Sequence, residues 1–252
     1  MYNDLDFELN AAELQRYSRQ ILLPEWEMNA QEKLKFSNVL ILGCGDIGCL
    51  SAELLARAGV GKITLVDPDT VDLSHLQCQI AFSATDVGFY KAEILAQRLQ
   101  QINPCIEVVA YSTAVTAANA AQLLAEQDLV LESCEHLATR YLLNQQCYQA
   151  NVPLLSAAAQ GMDGQLFLVD QSACYACIFP EQTQQAQRCQ DTGILVTTPN
   201  VLASLQAHHA LLYLGQDQAI LKNKLLLWQG KSLSSRILNV NFRADCPVCQ
   251  AQ

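Results

Sequence analysis

Three glycines set between a strand and a helix constrain this chain more than any other feature. The apolar run Asn38-Val-Leu-Ile-Leu42 leads directly into Gly43-Cys-Gly45-Asp-Ile-Gly48, and Ile47, Leu50, Leu54, Leu55 and Ala58 then recur at helical spacing up to Gly59. Strand, G-x-G-x-x-G and helix in that order open a nucleotide-binding βαβ unit. The first glycine permits the tight turn, the second lets phosphate approach the backbone, and the third lets helix and strand pack closely. The helix N-terminus then offers free N–H groups to an anion. A second buried strand, Lys62-Ile-Thr-Leu-Val66, ends at Asp67. Asp67 follows the last glycine by about 20 residues, where a carboxylate accepts hydrogen bonds from a ribose. A plain packing turn would need neither the second strand nor the acid. The motif leaves the identity of the nucleotide open.

The alternation continues along the chain. The pattern predicts a helix over 46–58, a helix over 89–102 stopped by Pro104, and a strand over 105–111. Helix 117–126, strand 128–132, helix 137–150 and strand 153–157 follow, then a hairpin or continuing strand at 164–169. Apolar strands alternating with helices mean an α/β fold, a Rossmann-like, mostly parallel sheet with helices on both faces. A helix is expected over 11–23. Residues 171–198 are glutamine-rich and poor in apolar residues, and read as a crossing loop. Helix 199–214, with Pro199 early and Gly215 as its stop, precedes strands at 224–228 and 235–242. A single domain is the economical reading: an N-terminal helical segment at 10–30, a nucleotide-binding core at 36–157, the crossing loop, and a C-terminal extension at 199–252.

Cys174-Tyr-Ala-Cys177 and Cys246-Pro-Val-Cys249 are two CxxC knuckles. Each supplies two sulfurs from one tight turn, and together they match a four-thiolate zinc site tying the crossing loop to the C-terminus. With four vertices filled, such a zinc is structural. A redox dithiol is the competing reading. The chain has 11 cysteines, an odd number, and its acidic start lacks the basic and apolar regions of a secretory signal. A reducing cytoplasm therefore fits better than a disulfide framework. Cys44, Cys49, Cys105, Cys134 and Cys147 lie in or beside apolar segments and are expected to be buried small residues. Cys189, in the polar crossing loop, is either a nucleophile or a spare thiol.

A net charge of −10 argues against nucleic acid as a partner. No run of 18 apolar residues is present, so no membrane span is expected. Charged residues make up only 16% of the chain, which suggests surface covered by another subunit. Arg16 and Arg19 share one helical face and could reach a phosphate chain or simply solvate the helix. Lys91, taken alone, reads as a surface lysine. Within the apolar helix His208-His209, at least one ring is expected to pack, which leaves a metal role without support.

Taken together, Arg16-Tyr-Ser-Arg19-Gln, the glycine loop, Val66-Asp67-Pro-Asp69, Ser74-His-Leu-Gln-Cys-Gln79, Lys91, the two knuckles and Cys189 resemble the MoeB/ThiF/HesA branch of the ubiquitin-activating enzyme superfamily. The likeness runs from about residue 10 to the end. Cys174-Tyr-Ala-Cys177-Ile-Phe-Pro and Asp245-Cys-Pro-Val-Cys249 look closest to the thiamine-pathway ThiF type. The resemblance implies a homodimer that uses ATP and magnesium to adenylate the C-terminal glycine of a ubiquitin-like sulfur carrier of the ThiS or MoaD kind, in thiamine or molybdopterin biosynthesis. It places Gly43, Gly45, Asp46, Gly48, Asp69, His75 and Gln79 at the nucleotide, Asp67 on the ribose and Lys91 on the phosphates. It also sends Arg19 to the neighbouring subunit's site and gives Cys189 a part in carrier or sulfur transfer, with a sulfurtransferase as a possible partner.

Three positions depart from the family pattern. Its Ser-Asn-Leu-Gln-Arg-Gln is Ser74-His75-Leu76-Gln77-Cys78-Gln79 here, so an asparagine has become His75 and a phosphate-binding arginine has become Cys78. Its Cys-Thr-Asp-Asn is Ser133-Cys134-Glu135-His136, so the magnesium aspartate has become Glu135. These changes leave room for a weakened family member acting as a carrier-binding or scaffold protein. A nicotinamide-dependent oxidoreductase also fits the glycine loop but gives the knuckles and the arginine pair no role.

Overall fold

The run Asn38–Leu42 is apolar on both faces because it lies inside a sheet covered on both sides. The computed structural model describes residues 8–180 and 193–249. In chain order the elements are α1 (Ala11–Ile21), α2 (Glu27–Lys35), β1 (Asn38–Leu42), α3 (Gly48–Ala58), β2 (Lys62–Val66), α4 (Lys91–Ile102), β3 (Glu107–Tyr111) and α5 (Ala120–Leu124). There follow β4 (Leu129–Glu132), α6 (Leu137–Ala150), β5 (Leu154–Gln160), β6 (Asp163–Val169), the single turn α7 (Tyr175–Ile178), α8 (Thr197–Gln216), β7 (Lys224–Gln229) and β8 (Ser234–Asn239). The eight strands form one sheet in the order β3-β2-β1-β4-β5-β6-β7-β8. β3 to β5 run parallel, and β6, β7 and β8 each pair antiparallel with their neighbour.

Residue alternation on β1 divides the core into two layers. Val39 and Ile41 pack on one face with Leu34 of α2, Leu55 of α3, Leu95 of α4 and Leu202 of α8. Leu40 and Leu42 pack on the other with Leu123 of α5, Leu143 and Tyr148 of α6, and the cysteine knuckles. After β1 the chain moves outward to β2 and β3, then returns to the other side of β1 as β4. Neighbouring strands lead their connections apart at this switch point, and the sheet opens a crevice at the strands' C-terminal ends.

Several boundaries differ from the sequence reading, for physical reasons. Helix α2 escapes the periodicity because its buried face carries a glutamine. Gln31 is fully buried, accepts from Trp26 Nε1 at 3.3 Å and Gln20 Nε2 at 2.8 Å, and donates to the Ala58 carbonyl at 2.8 Å. Helix α3 begins at Gly48, leaving Asp46 and Ile47 in the loop. Helix α8 runs past Gly215 and is capped by Asp217 in the left-handed region. Gly215 is needed for packing instead, since a Cβ there would lie 2.6 Å from the Trp26 ring. Cys105 is exposed because β3 starts only at Glu107; its N–H caps on Asn103 Oδ1 at 3.1 Å. Cys134 is only partly buried, whereas Cys44, Cys49 and Cys147 are buried as expected. Among the described residues no helix is long and apolar enough to cross a membrane.

The third glycine of the loop is required by the fold itself. A Cβ on Gly48 would sit 1.8 Å from the Gly43 carbonyl oxygen, and that atom is backbone that cannot swing aside. Gly48→Ala is expected to cost roughly 3 kcal/mol of stability through overpacking, read as a lowered urea midpoint; a midpoint equal to the parent's would contradict this account of the loop.

Candidate functional site

A cleft of about 1090 Å³ opens where the connections after β1 and β4 part, lined by the glycine loop, the end of β2, the segment after β4, and the β5–β6 hairpin. Asp67, only 5% exposed, holds its floor. Its Oδ2 accepts the Cys44 N–H at 2.7 Å and its Oδ1 the Asp69 N–H at 2.8 Å. One carboxylate thus pins the glycine loop to the end of β2. Burial raises the Asp67 pKa, and the two N–H donors and nearby Lys91 offset this only in part.

The second glycine behaves unlike the third. A Cβ on Gly45 would meet nothing closer than Gln79 Nε2 at 3.7 Å, an ordinary contact. The protein itself does not demand glycine there. Backbone that is bare toward an open cleft, at the start of a helix, has the form of a phosphate cradle. Beside it, Gln79 Nε2 donates to Asp46 Oδ1 at 3.0 Å, while Gln79 Oε1 and His75 Nδ1 are buried without a protein partner. Lys91 is not the surface lysine its local sequence suggests. It is 4% exposed, opens α4 and lines the cleft, with Nζ 3.7 Å from Asp69 Oδ2.

The opposite wall depends on two residues the sequence reading passed over. Glu132, the last residue of β4, is 1% exposed. It accepts the Ser156 hydroxyl at 2.5 Å and the Cys134 N–H at 2.8 Å, and pairs with Arg140 Nε at 3.2 Å. Arg140 Nε and Nη2 also donate to the Cys134 carbonyl at 2.8 and 2.5 Å. Burial opposes the Arg140 charge, yet the adjacent Glu132 carboxylate outweighs it and holds the guanidinium above its ordinary pKa. The available signal was a glutamate ending an apolar strand and an arginine one turn into the next helix. Burial, then the Glu132 charge, pushes the Cys134 thiol well up, so it is not a ready thiolate.

Glu135 and His136 are exposed and line the cleft. Cys78 is buried and does not line it. Arg19 is exposed and lies outside this chain's cleft, while Arg16 Nη1 donates to the Ile102 carbonyl at 2.9 Å and ties α1 to the end of α4. Cys189 falls outside the described residues. Among the described residues, five carboxylates (Asp46, Asp67, Asp69, Glu135 and Asp163) and two cations (Lys91 and Arg140) line the cleft. An anionic ligand therefore meets a wall that is itself acidic.

At one end of the cleft the wall is the first knuckle. Tyr175 lines the cleft between Cys174 and Cys177, and its N–H donates to Asn144 Oδ1 at 2.9 Å. The sulfurs of Cys174, Cys177, Cys246 and Cys249 all lie within 4.8 Å of one another. Cys174 and Cys246 are 3.5 Å apart, Cys177 and Cys249 3.3 Å. A disulfide needs about 2.05 Å, whereas a tetrahedron with Zn–S bonds of ~2.3 Å has edges of ~3.8 Å. The Arg243 N–H approaches Cys177 Sγ at 3.4 Å, the kind of outer contact that steadies a metal-bound thiolate. The donor set fits zinc.

The ThiF family model matches residues 17–248. The chain is 36% identical over 244 residues to the sulfur carrier protein ThiS adenylyltransferase of Escherichia coli, covering 96% of this chain and 97% of that protein. It is 37% identical over 245 residues to the molybdopterin-synthase adenylyltransferase of the same organism, covering 96% and 98%. It is also 37% identical over 247 residues to the adenylyltransferase and sulfurtransferase MOCS3 of Aedes aegypti, spanning 96% of this chain but only 56% of that longer protein. The solved structure of Escherichia coli MccB with ATP superposes with a TM-score of 0.81 at 26% identity, covering 95% of this chain and 75% of that one.

The contrast between the glycines gives a direct test of the cradle. Gly45→Ala should leave stability within about 0.5 kcal/mol of the parent. By calorimetry it should lower ATP affinity about tenfold or more, because the methyl occupies the space a phosphate needs. Unchanged affinity would remove the phosphate from this loop.

Proposed function

Since this chain belongs to the ThiF family, we propose that it is an ATP-dependent adenylyltransferase acting on the C-terminal glycine of a small ubiquitin-like sulfur carrier. The observation that carries the reading is the bare Gly45 backbone, beside an Asp67 that pins the loop, in a chain that aligns end to end with two adenylyltransferases. The triphosphate lies over the Gly43–Gly48 loop and the N-terminus of α3, where a helix's first N–H groups favour an anion. Both Asp67 oxygens accept backbone N–H groups and retain lone pairs for the ribose hydroxyls. Lys91 reaches the phosphates, and Asp46, Asp69, His75 and Gln79 complete the nucleotide's surroundings.

The carrier's terminal carboxylate attacks the α-phosphorus. A new P–O bond forms, the bond from the α-phosphorus to the bridging oxygen breaks, and pyrophosphate leaves with that electron pair. The product is an acyl adenylate, a mixed anhydride primed for a sulfur nucleophile. Anion attacks anion here, so catalysis rests on positioning and on stabilising charge. The acidic wall favours a divalent cation beside the nucleotide. Magnesium, held by Glu135 together with phosphate oxygens, would neutralise charge on the departing pyrophosphate. Cys78 supplies no cation, which throws more of that work onto Lys91 and the metal.

The near-equal identities to the ThiS and molybdopterin-synthase enzymes leave both carrier types as substrates to be tried. We extend the reading to a homodimer in which Arg19 serves the partner's cleft, to Cys189 as a loop thiol in carrier or sulfur transfer with a sulfurtransferase as donor, and to a structural zinc on the four knuckle cysteines.

Exchange of labelled pyrophosphate into ATP should appear only with magnesium and a ThiS-like or MoaD-like carrier present. Lys91→Ala should slow it about 100-fold, the loss typical of one preorganised donor. A folded chain that exchanges with neither carrier class refutes the proposal. Separately, elemental analysis should find zinc at one ion per chain, and Cys246→Ser should lose both the metal and part of the thermal stability. A metal-free parent of equal stability would leave the knuckles without zinc.

A further inference from the structure

The centre of α8 holds a buried amide with every hydrogen-bonding position filled. Gln206 is fully buried. Its Nε2 donates to the Glu132 carbonyl at 3.2 Å and the Leu155 carbonyl at 3.0 Å. Its Oε1 accepts from the Ser51 hydroxyl at 2.9 Å, a proton shared with the Ala203 carbonyl, and from the Ser133 hydroxyl at 3.2 Å. Carbonyls only accept, so the NH₂ must face them and the amide's orientation is determined. Two donors and two lone pairs exhaust what an amide can make.

The partners belong to different parts of the cleft. Ser51 lies on α3, the helix that opens at the third glycine. Glu132 ends β4, Ser133 begins the segment bearing Glu135, and Leu155 is on the neighbouring β5. The two halves also touch directly: a Cβ on Gly43 would meet the Ser133 carbonyl carbon and oxygen at 3.1 Å. From the other face of the sheet, Arg140 grips the Cys134 carbonyl. Residues 133 and 134 are thus clamped between α8 and α6, while Glu135 and His136 project into the cleft from this stem.

We propose that Gln206 is a positioning residue for the adenylation centre, locking the 133–136 segment against the glycine loop so that Glu135 is presented to the nucleotide's metal in a fixed place. The inference rests on the adenylation reading for its kinetic consequence but not for its structural one. An apolar side chain would fill the space equally well. It would strip the Ser133 hydroxyl and the Glu132 and Leu155 carbonyls of their Gln206 bonds and leave Ser51 only its Ala203 acceptor, and a loop displaced by about 1 Å can cost as much as 100-fold in rate.

The test uses the full chain with Gln206→Leu, Ser133→Ala, the double variant, and Leu214→Ala as a core control on the same helix, well away from the loops. In carrier-dependent pyrophosphate exchange, Gln206→Leu should lower kcat about 10- to 100-fold and raise the magnesium needed for half-maximal rate, with KM for ATP moving about threefold or less. Ser133→Ala should show a smaller loss in the same direction. The double variant should be no slower than Gln206→Leu alone, because residues in one network are not additive. Leu214→Ala should lose stability without the shift in magnesium dependence. Amide hydrogen exchange, read without any substrate, should be faster over 133–136 in Gln206→Leu and unchanged there in Leu214→Ala. Unaltered exchange over 133–136, or kinetics matching the Leu214→Ala control, overturns the inference. A parent without pyrophosphate exchange but with the predicted amide pattern overturns the adenylation reading and leaves the clamp standing. If Gln206→Leu does not fold, Ser133→Ala decides by the same amide and magnesium readouts.

Discussion

The hydrogen bond from the Cys44 N–H to the Asp67 carboxylate is the contact on which the rest of the cleft depends. It joins the turn after β1 to the end of β2, the two places where a parallel sheet leaves its backbone unfinished. A buried carboxylate is costly unless its lone pairs are used, and Asp67 takes one N–H on each oxygen. The glycine loop cannot lift without stripping that carboxylate of half its partners. Gly48 enforces the same closeness sterically, and Gly43 allows Ser133 to come against it. The geometry is held by backbone contacts, so it does not depend on the side chains of Cys44 and Asp46 within the loop.

Charge is distributed against the ligand in a way that hydrophobic burial is not. Lys91 sits beside Asp69, and Arg140 is committed to Glu132 and the Cys134 carbonyl. Arg140 is thereby tied up, and Cys78 is buried and adds no positive charge to the cleft. On the adenylation reading, a triphosphate would then rely on backbone N–H dipoles, on Lys91 and on the metal that accompanies the nucleotide. That would couple metal affinity to nucleotide affinity.

Much of this was legible in the sequence because the signals are local. Strand, glycine turn, helix, strand and acid occupy one continuous stretch, and each knuckle is written in four residues. The parallel half of the sheet follows from alternating apolar runs. What escaped is built from polar residues satisfied by distant partners. Gln31 hides α2 by putting an amide on its inner face. Glu132 and Arg140 carry no motif, and their pairing needs β4 and α6 to be placed first. Gln206 reads as an ordinary helix residue until Ser51, Ser133 and two strand-end carbonyls surround it. Lys91 reads as surface for the same reason, since nothing nearby in the sequence shows that the crevice will close over it.

The knuckles belong to the cleft as well as to the C-terminus. Cys174 and Cys177 bracket Tyr175, whose ring meets Tyr141 edge-on at 5.1 Å and packs on Phe179 at 5.0 Å. Tyr141 is the neighbour of Arg140, and its hydroxyl donates to the Phe179 carbonyl at 2.6 Å. A metal on the four sulfurs would therefore also fix an aromatic wall standing against the helix that grips the 133–134 segment. The two structural devices, one of sulfur and one of amides, meet at α6. That meeting explains how a site far from the glycine loop in sequence can set the shape of the cleft.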